Sequence, residues 1–141
     1  MKRSLVFAGC LAALTAAIHV FAGGADVAAP LLASSLAGEA KLTLYAVWHM
    51  ASVALALSAG ALWLGSLPGH AQAARYLVLF VSALWCAFGL VFIGVVVLQP
   101  EGGWWFRLPQ WLLLLPVGLL GLWGSLGDDK SLGGRVRAEP R

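Results

Sequence analysis

The chain has 141 residues, 61% of them hydrophobic and 11% charged, with a formal net charge of +3 and a mean hydropathy of +0.89. Soluble domains carry about 45–50% apolar and about 25% charged residues, so this composition excludes an ordinary water-soluble domain and points to a single membrane domain. The Lys and Arg residues lie in short loops and tails with no basic stripe among aromatics, which excludes nucleic acid as a partner.

Met1-Lys2-Arg3 is a cationic start, and no Asp, Glu, Lys or Arg follows until Asp26. Residues 4–23 therefore have the roughly 20-residue length of a bilayer-crossing helix. The stretch also has the form of a signal peptide, with Val20 and Ala22 at small-residue positions. Its retention is the expectation, because removal would leave three spans and an uncompensated His49. Residues 24–41, with Asp26, Pro30, Ser34, Ser35, Gly38 and Glu39, read as a loop, with Pro30 suited to the first turn of a short interfacial helix.

The second span is predicted over 42–66. Leu67-Pro68-Gly69-His70 is a turn. The third span runs over 73–98, and Gln99-Pro100-Glu101-Gly102-Gly103 is a tight turn before the aromatic anchor Trp104-Trp105-Phe106. The fourth span, 108–126, is the shortest and is interrupted by Pro116. From 127 to 141 the composition turns polar and charged with no apolar face, which predicts a disordered tail.

Four spans place both termini on one side. Lys2, Arg3, Arg75, Lys130, Arg135, Arg137 and Arg141 fall on that side, and only Lys41 and Arg107 on the other. The positive-inside rule then makes both ends cytoplasmic. Spacings of small residues, Ala12 with Ala16, Ala54 with Ser58, Ala61 with Gly65, Ala83 with Ala87 and Gly121 with Ser125, favour close helix approach in a compact bundle. Cys10 and Cys86 form no CxxC or zinc spacing and read as small buried hydrophobes.

No acidic or basic residue lies inside a span, so a carboxylate relay of the proton-transporter kind is absent. No phosphate loop, nucleophile elbow or HExxH motif occurs either. What remains is histidine. An imidazole inside a membrane span is costly without partners and marks a candidate site. Tyr45, Trp48, His49, Ser52 and Ala56 share one face of the second span. His49 falls about 12 Å in from Lys41 at 1.5 Å per residue, whereas His19 lies within about a turn of the end of its span, a mismatch in depth. His70 sits in the cytoplasmic turn and cannot join them.

Three uses of these residues stay open. A pocket around His19, His49, Tyr45 and Gln110 could hold a small ligand. His19 and His49 with Asp26 could hold a transition metal, and the same two imidazoles could ligate haem b axially. Each histidine could instead bond to a neighbouring helix and stabilise the bundle, at about 0.6 kcal/mol per bond. A small oligomeric channel or exporter is a further reading.

The segments Ile18-His19-Val20-Phe21-Ala22-Gly23-Gly24, Pro30-Leu31-Leu32-Ala33-Ser34, Trp48-His49 and Leu108-Pro109-Gln110-Trp111 together resemble small four-helix bacterial inner-membrane proteins of no assigned activity. The likeness covers about residues 5–126. It implies the four-helix topology and a bacterial inner (cytoplasmic) membrane, and brings no activity with it.

The expectation is an all-α, four-helix transmembrane bundle over residues 1–126 with short loops, N-in and C-in, followed by a disordered cytoplasmic tail over 127–141. Its expected role is a non-enzymatic small-ligand or metal-binding module, or an accessory subunit. Expected partners are the lipid bilayer and a homo-oligomer or larger membrane complex.

Overall fold

The computed structural model describes residues 2–100 and 103–126, and the predicted tail lies outside them. Helix α1 (Arg3–Gly23) runs through a π-helical turn (Gly24–Ala28) into α2 (Ala29–Ala33). Then come α3 (Gly38–Ser66), α4 (Arg75–Val97), the short α5 (Trp104–Arg107) and α6 (Trp111–Leu126), with no strand among the described residues. Three helical stretches are long and apolar enough to cross a membrane: Arg3–Ala33, Gly38–Ser66 and Arg75–Val97, while Trp111–Leu126 is a shorter apolar helix.

Small residues make up much of each buried side, while many large apolar ones are exposed. The buried side of α1 is Leu5, Ala8, Gly9, Ala12 and Thr15, and that of α6 is Leu114, Val117, Gly118, Gly121, Gly124 and Ser125. Phe7, Phe21, Leu57, Phe80, Leu90 and Trp123 are exposed. A water-soluble bundle does the reverse. Among lipid tails as apolar as leucine, close van der Waals packing replaces apolar burial as the force between helices.

Glycines set the closest approaches. A Cβ on Gly118 would come 2.7 Å from the Ser82 carbonyl and 2.8 Å from the Cys86 backbone nitrogen, so α4 and α6 meet almost backbone to backbone. Four of the five predicted small-residue pairs turn inward; Ala83 and Ala87 face out. The hydroxyls of Thr15, Ser58 and Ser82 donate to carbonyls of their own helices, at 2.8, 2.6 and 2.6 Å, and so add no bonds between helices.

α4 packs mainly on α6, and α1 packs on both α3 and α6. At one end, the base, the Lys2 backbone nitrogen donates to the Ser66 carbonyl at 3.1 Å and Lys2 Nζ to the Gly124 carbonyl at 3.4 Å. Gly65 there lies against Val78. The starts of α1 and α4 and the ends of α3 and α6 are thereby level, and fully buried Leu5, Leu62, Val78, Trp85 and Val117 fill the core above them.

Three local expectations change. The predicted loop over 24–41 is helical apart from residues 34–37. The π turn makes this possible. In a regular helix the Pro30 ring would clash with the carbonyl four residues back, at Asp26, and that carbonyl sits inside the widened turn. Pro116, in turn, does not break α6, which runs on to Leu126. Cys10 is exposed on α1 rather than buried in the bundle.

Candidate functional site

The extended α1 removes the mismatch in depth. His19 stands about 24 Å above Arg3, and His49 about 26 Å above Ser66, at 1.5 Å per residue. Because Arg3 and Ser66 are level at the base, the two histidines share one height.

Trp48, rather than one imidazole facing the other, joins them. The His19 ring is half-buried and stacks on the Trp48 indole at 4.8 Å between centroids and 21° between planes. His19 Nε2 lies 3.3 Å from the Trp48 carbonyl, which also accepts the Ser52 hydroxyl at 3.1 Å. A carbonyl only accepts, so Nε2 is the donor in this contact.

His49 is exposed, whereas a metal or haem shared with His19 needs both rings turned inward. Its ring meets Tyr45 edge-on at 4.5 Å and Trp48 at 4.9 Å. The reason is the helical period. Trp48 and Ser52 turn toward α1, in line with buried Leu55, Ser58, Ala59 and Leu62, and one residue further on is a rotation of about 100°. His49, Val53 and Ala56 therefore fall to the side. There His49 heads an open, apolar face of α3 made by Ala46, Met50, Val53, Ala54 and Leu57. His49 makes no hydrogen bond to any described residue.

The other predicted residues stand apart from this cluster. Asp26 is exposed in the π turn, about 10 Å along the helix from His19 at 1.5 Å per residue. Among the described residues, no group of three or more His, Cys, Asp and Glu side chains comes together as a metal site requires. Gln110 shares the height of the histidines but belongs to α6, which packs mainly on α4 and α1. Its Oε1 is buried without a hydrogen-bond partner among the described residues, as is Nε1 of the adjacent Trp111, whose ring meets Trp105 edge-on at 5.8 Å. Arg107 lies over the Trp104 ring at 5.3 Å.

The sequence placed Trp48 on one face of α3 with His49 but gave it no role; in the structure it carries the α1–α3 contact at this height through its stack on His19.

No protein-family model, no curated protein and no solved structure matches the chain. The class is therefore defined by the fold alone: an all-helical protein with three helices long and apolar enough to cross a membrane.

Proposed function

We propose that this chain is a four-span protein of the bacterial cytoplasmic membrane with both termini inside, serving as a non-enzymatic module that binds a small ligand, on its own or as an accessory subunit. Its working part is His49 with the rings of Tyr45 and Trp48 against it, while His19 holds Trp48 in place from α1. One observation carries the reading. His49 is an exposed imidazole with no hydrogen bond to any described residue, at a height where a spanning helix would be surrounded by lipid. A polar ring in that place is costly unless something polar meets it.

Several features support the topology. The base gathers Lys2, Arg3 and Arg75, whereas Lys41 and Arg107 lie toward the opposite end. α6 is short, about 24 Å at 1.5 Å per residue, and the turn residues before it add the remaining reach toward a core of about 30 Å. The outward-facing Ala83 and Ala87 leave a small-residue strip open to a neighbouring helix, which suits an accessory subunit.

The ligand reading takes precedence over haem b or a metal held by His19, His49 and Asp26. Axial ligation needs both imidazoles turned to one iron, but His19 is stacked on Trp48 and His49 is turned to the outer surface. The test is direct. Full-length protein is extracted with its surrounding lipid, and the bound small molecules, metals and visible spectrum are measured. The reading predicts one molecule near equal stoichiometry, depleted in His49→Ala and retained in His70→Ala. An identical content in wild type and His49→Ala would overturn it.

A further inference from the structure

The base of the bundle, at the far end from His49, carries an unbalanced charge. Leu5 and Val78 both lie against Gly65, and a Cβ on Gly124 would come 2.7 Å from Ser4 Oγ, so α1, α3, α4 and α6 converge there. Lys2 and Arg75 stand three residues before Leu5 and Val78, at the starts of α1 and α4, and Arg3 follows Lys2. Lys2 and Arg75 are half-buried and Arg3 is exposed. The acids among the described residues, Asp26 and Glu39, both belong to the opposite end. The C-terminal ends of α3 and α6 offset the dipoles of α1 and α4, and Lys2 already meets their Ser66 and Gly124 carbonyls. The excess is therefore that of three cationic side chains.

A buried hydroxyl beside them supplies a second, independent sign. Thr15, Ser58, Ser66, Ser82 and Ser125 are the buried hydroxyls among the described residues. The first four donate to carbonyls of their own helices. Ser125, only 3% exposed, has no hydrogen-bond partner among the described residues. It lies one turn beyond Gly121, which faces Ser82. Because α6 runs antiparallel to α4, Ser125 falls at the level of Val78, one turn from Arg75. A buried hydroxyl without an acceptor is costly, and an oxygen of a bound anion would supply one.

The surroundings say which anion reaches this corner. Tyr76 beside Arg75 is 80% exposed, and Trp123 near Ser125 is 77% exposed. Exposed Tyr and Trp at the ends of apolar spans mark the headgroup level of a bilayer. Basic clusters between spanning helices at that level suit anionic headgroups.

We infer that the base binds the phosphate of an anionic phospholipid. Lys2 and Arg75 hold its oxygens from two helices, Ser125 donates to the same group, and Arg3 at the rim adds attraction. A dissolved phosphate offers the same chemistry, and the test separates the two sources. The site is about 26 Å from the level of His49 at 1.5 Å per residue, and it stands or falls apart from the ligand proposed there.

Full-length protein in a nonionic detergent is titrated with phosphatidylglycerol or phosphatidylcholine, and bound lipid is counted by native mass spectrometry. Wild type is expected to take phosphatidylglycerol at least tenfold more tightly, and millimolar inorganic phosphate should not displace it. The half-saturation point should rise at least fivefold in Arg75→Gln and in Arg3→Gln, whose exposed side chain is not needed for folding. It should rise about twofold in Ser125→Ala, recover in Arg75→Lys, and stay unchanged in Lys41→Gln at the other end. Equal binding in wild type, Arg75→Gln and Arg3→Gln, or an equal loss in Lys41→Gln, would overturn the assignment. Displacement by millimolar inorganic phosphate would overturn the lipid as the source. Asp128 and Asp129 follow α6 in sequence. Binding that appears only in Asp128→Asn with Asp129→Asn would show the chain's own carboxylates filling the site, and would overturn the assignment as well.

Discussion

The Trp48 indole and the His19 imidazole lie 4.8 Å apart and nearly parallel, and the carbonyl of the same tryptophan faces His19 Nε2 at 3.3 Å. One residue of α3 thus holds one residue of α1 by ring and by backbone. The two contacts can be separated by substitution. His19→Phe keeps a ring against Trp48 and loses the hydrogen bond, at a cost of about 0.6 kcal/mol. His19→Ala also loses the stack, worth about 0.5–1.5 kcal/mol more. Thermal unfolding in detergent should rank wild type above His19→Phe above His19→Ala, and equal losses in the two variants would show that the stack contributes nothing.

Glycine-to-alanine substitutions should sort by what the new methyl meets. At Gly118 it meets backbone atoms of Ser82 and Cys86, which cannot step aside, and the cost should be about 1–3 kcal/mol. At Gly9 it meets the ring of Trp63, itself partly exposed and free to tilt, so the cost should be smaller. At Gly60 nothing lies within 4 Å, and the gain in helix propensity should raise stability by up to about 1 kcal/mol. A melting series of the three variants checks the order.

Gln110→Leu removes a buried carbonyl oxygen that has no hydrogen-bond partner among the described residues. Leaving such a group unsatisfied costs about 1–3 kcal/mol, so the variant should be as stable as wild type or more so. It should also keep any ligand bound at His49, because Gln110 sits with the α6 aromatics. Loss of the ligand in Gln110→Leu would return this residue to the site.

The proposed orientation predicts opposite labelling of two engineered thiols. In a background with Cys10 and Cys86 changed to Ser, a membrane-impermeant maleimide added to intact cells should modify Asp26→Cys and spare Gln72→Cys until the membrane is opened. The reverse pattern would invert the topology.

The helices were legible because unbroken apolar runs leave few alternatives, and the turn at Pro68-Gly69 stood out for the same reason. The continuation of α1 to Ala33 was not, because Pro30 and two glycines signal a break unless a π turn absorbs the proline. The neighbourhood of His19 and His49 was legible as a place; its geometry was not. Tyr45, Trp48 and His49 do share a flank of α3, yet a rotation of about 100° per residue separates a ring that meets α1 from one that faces outward. Periodicity cannot choose between them when every side of the helix is apolar. Gln110 joined the expected pocket on depth alone, and only the packing of α6 on α4 and α1 separates it from His49.

The central claim is that the outward imidazole of His49 meets a ligand in the membrane. The most direct measurement is the molar ratio of co-extracted small molecule to protein, compared across wild type, His49→Ala and His19→Phe. The account predicts a ratio near one in wild type and His19→Phe and at least a tenfold lower ratio in His49→Ala. Equal ratios in all three proteins would contradict it.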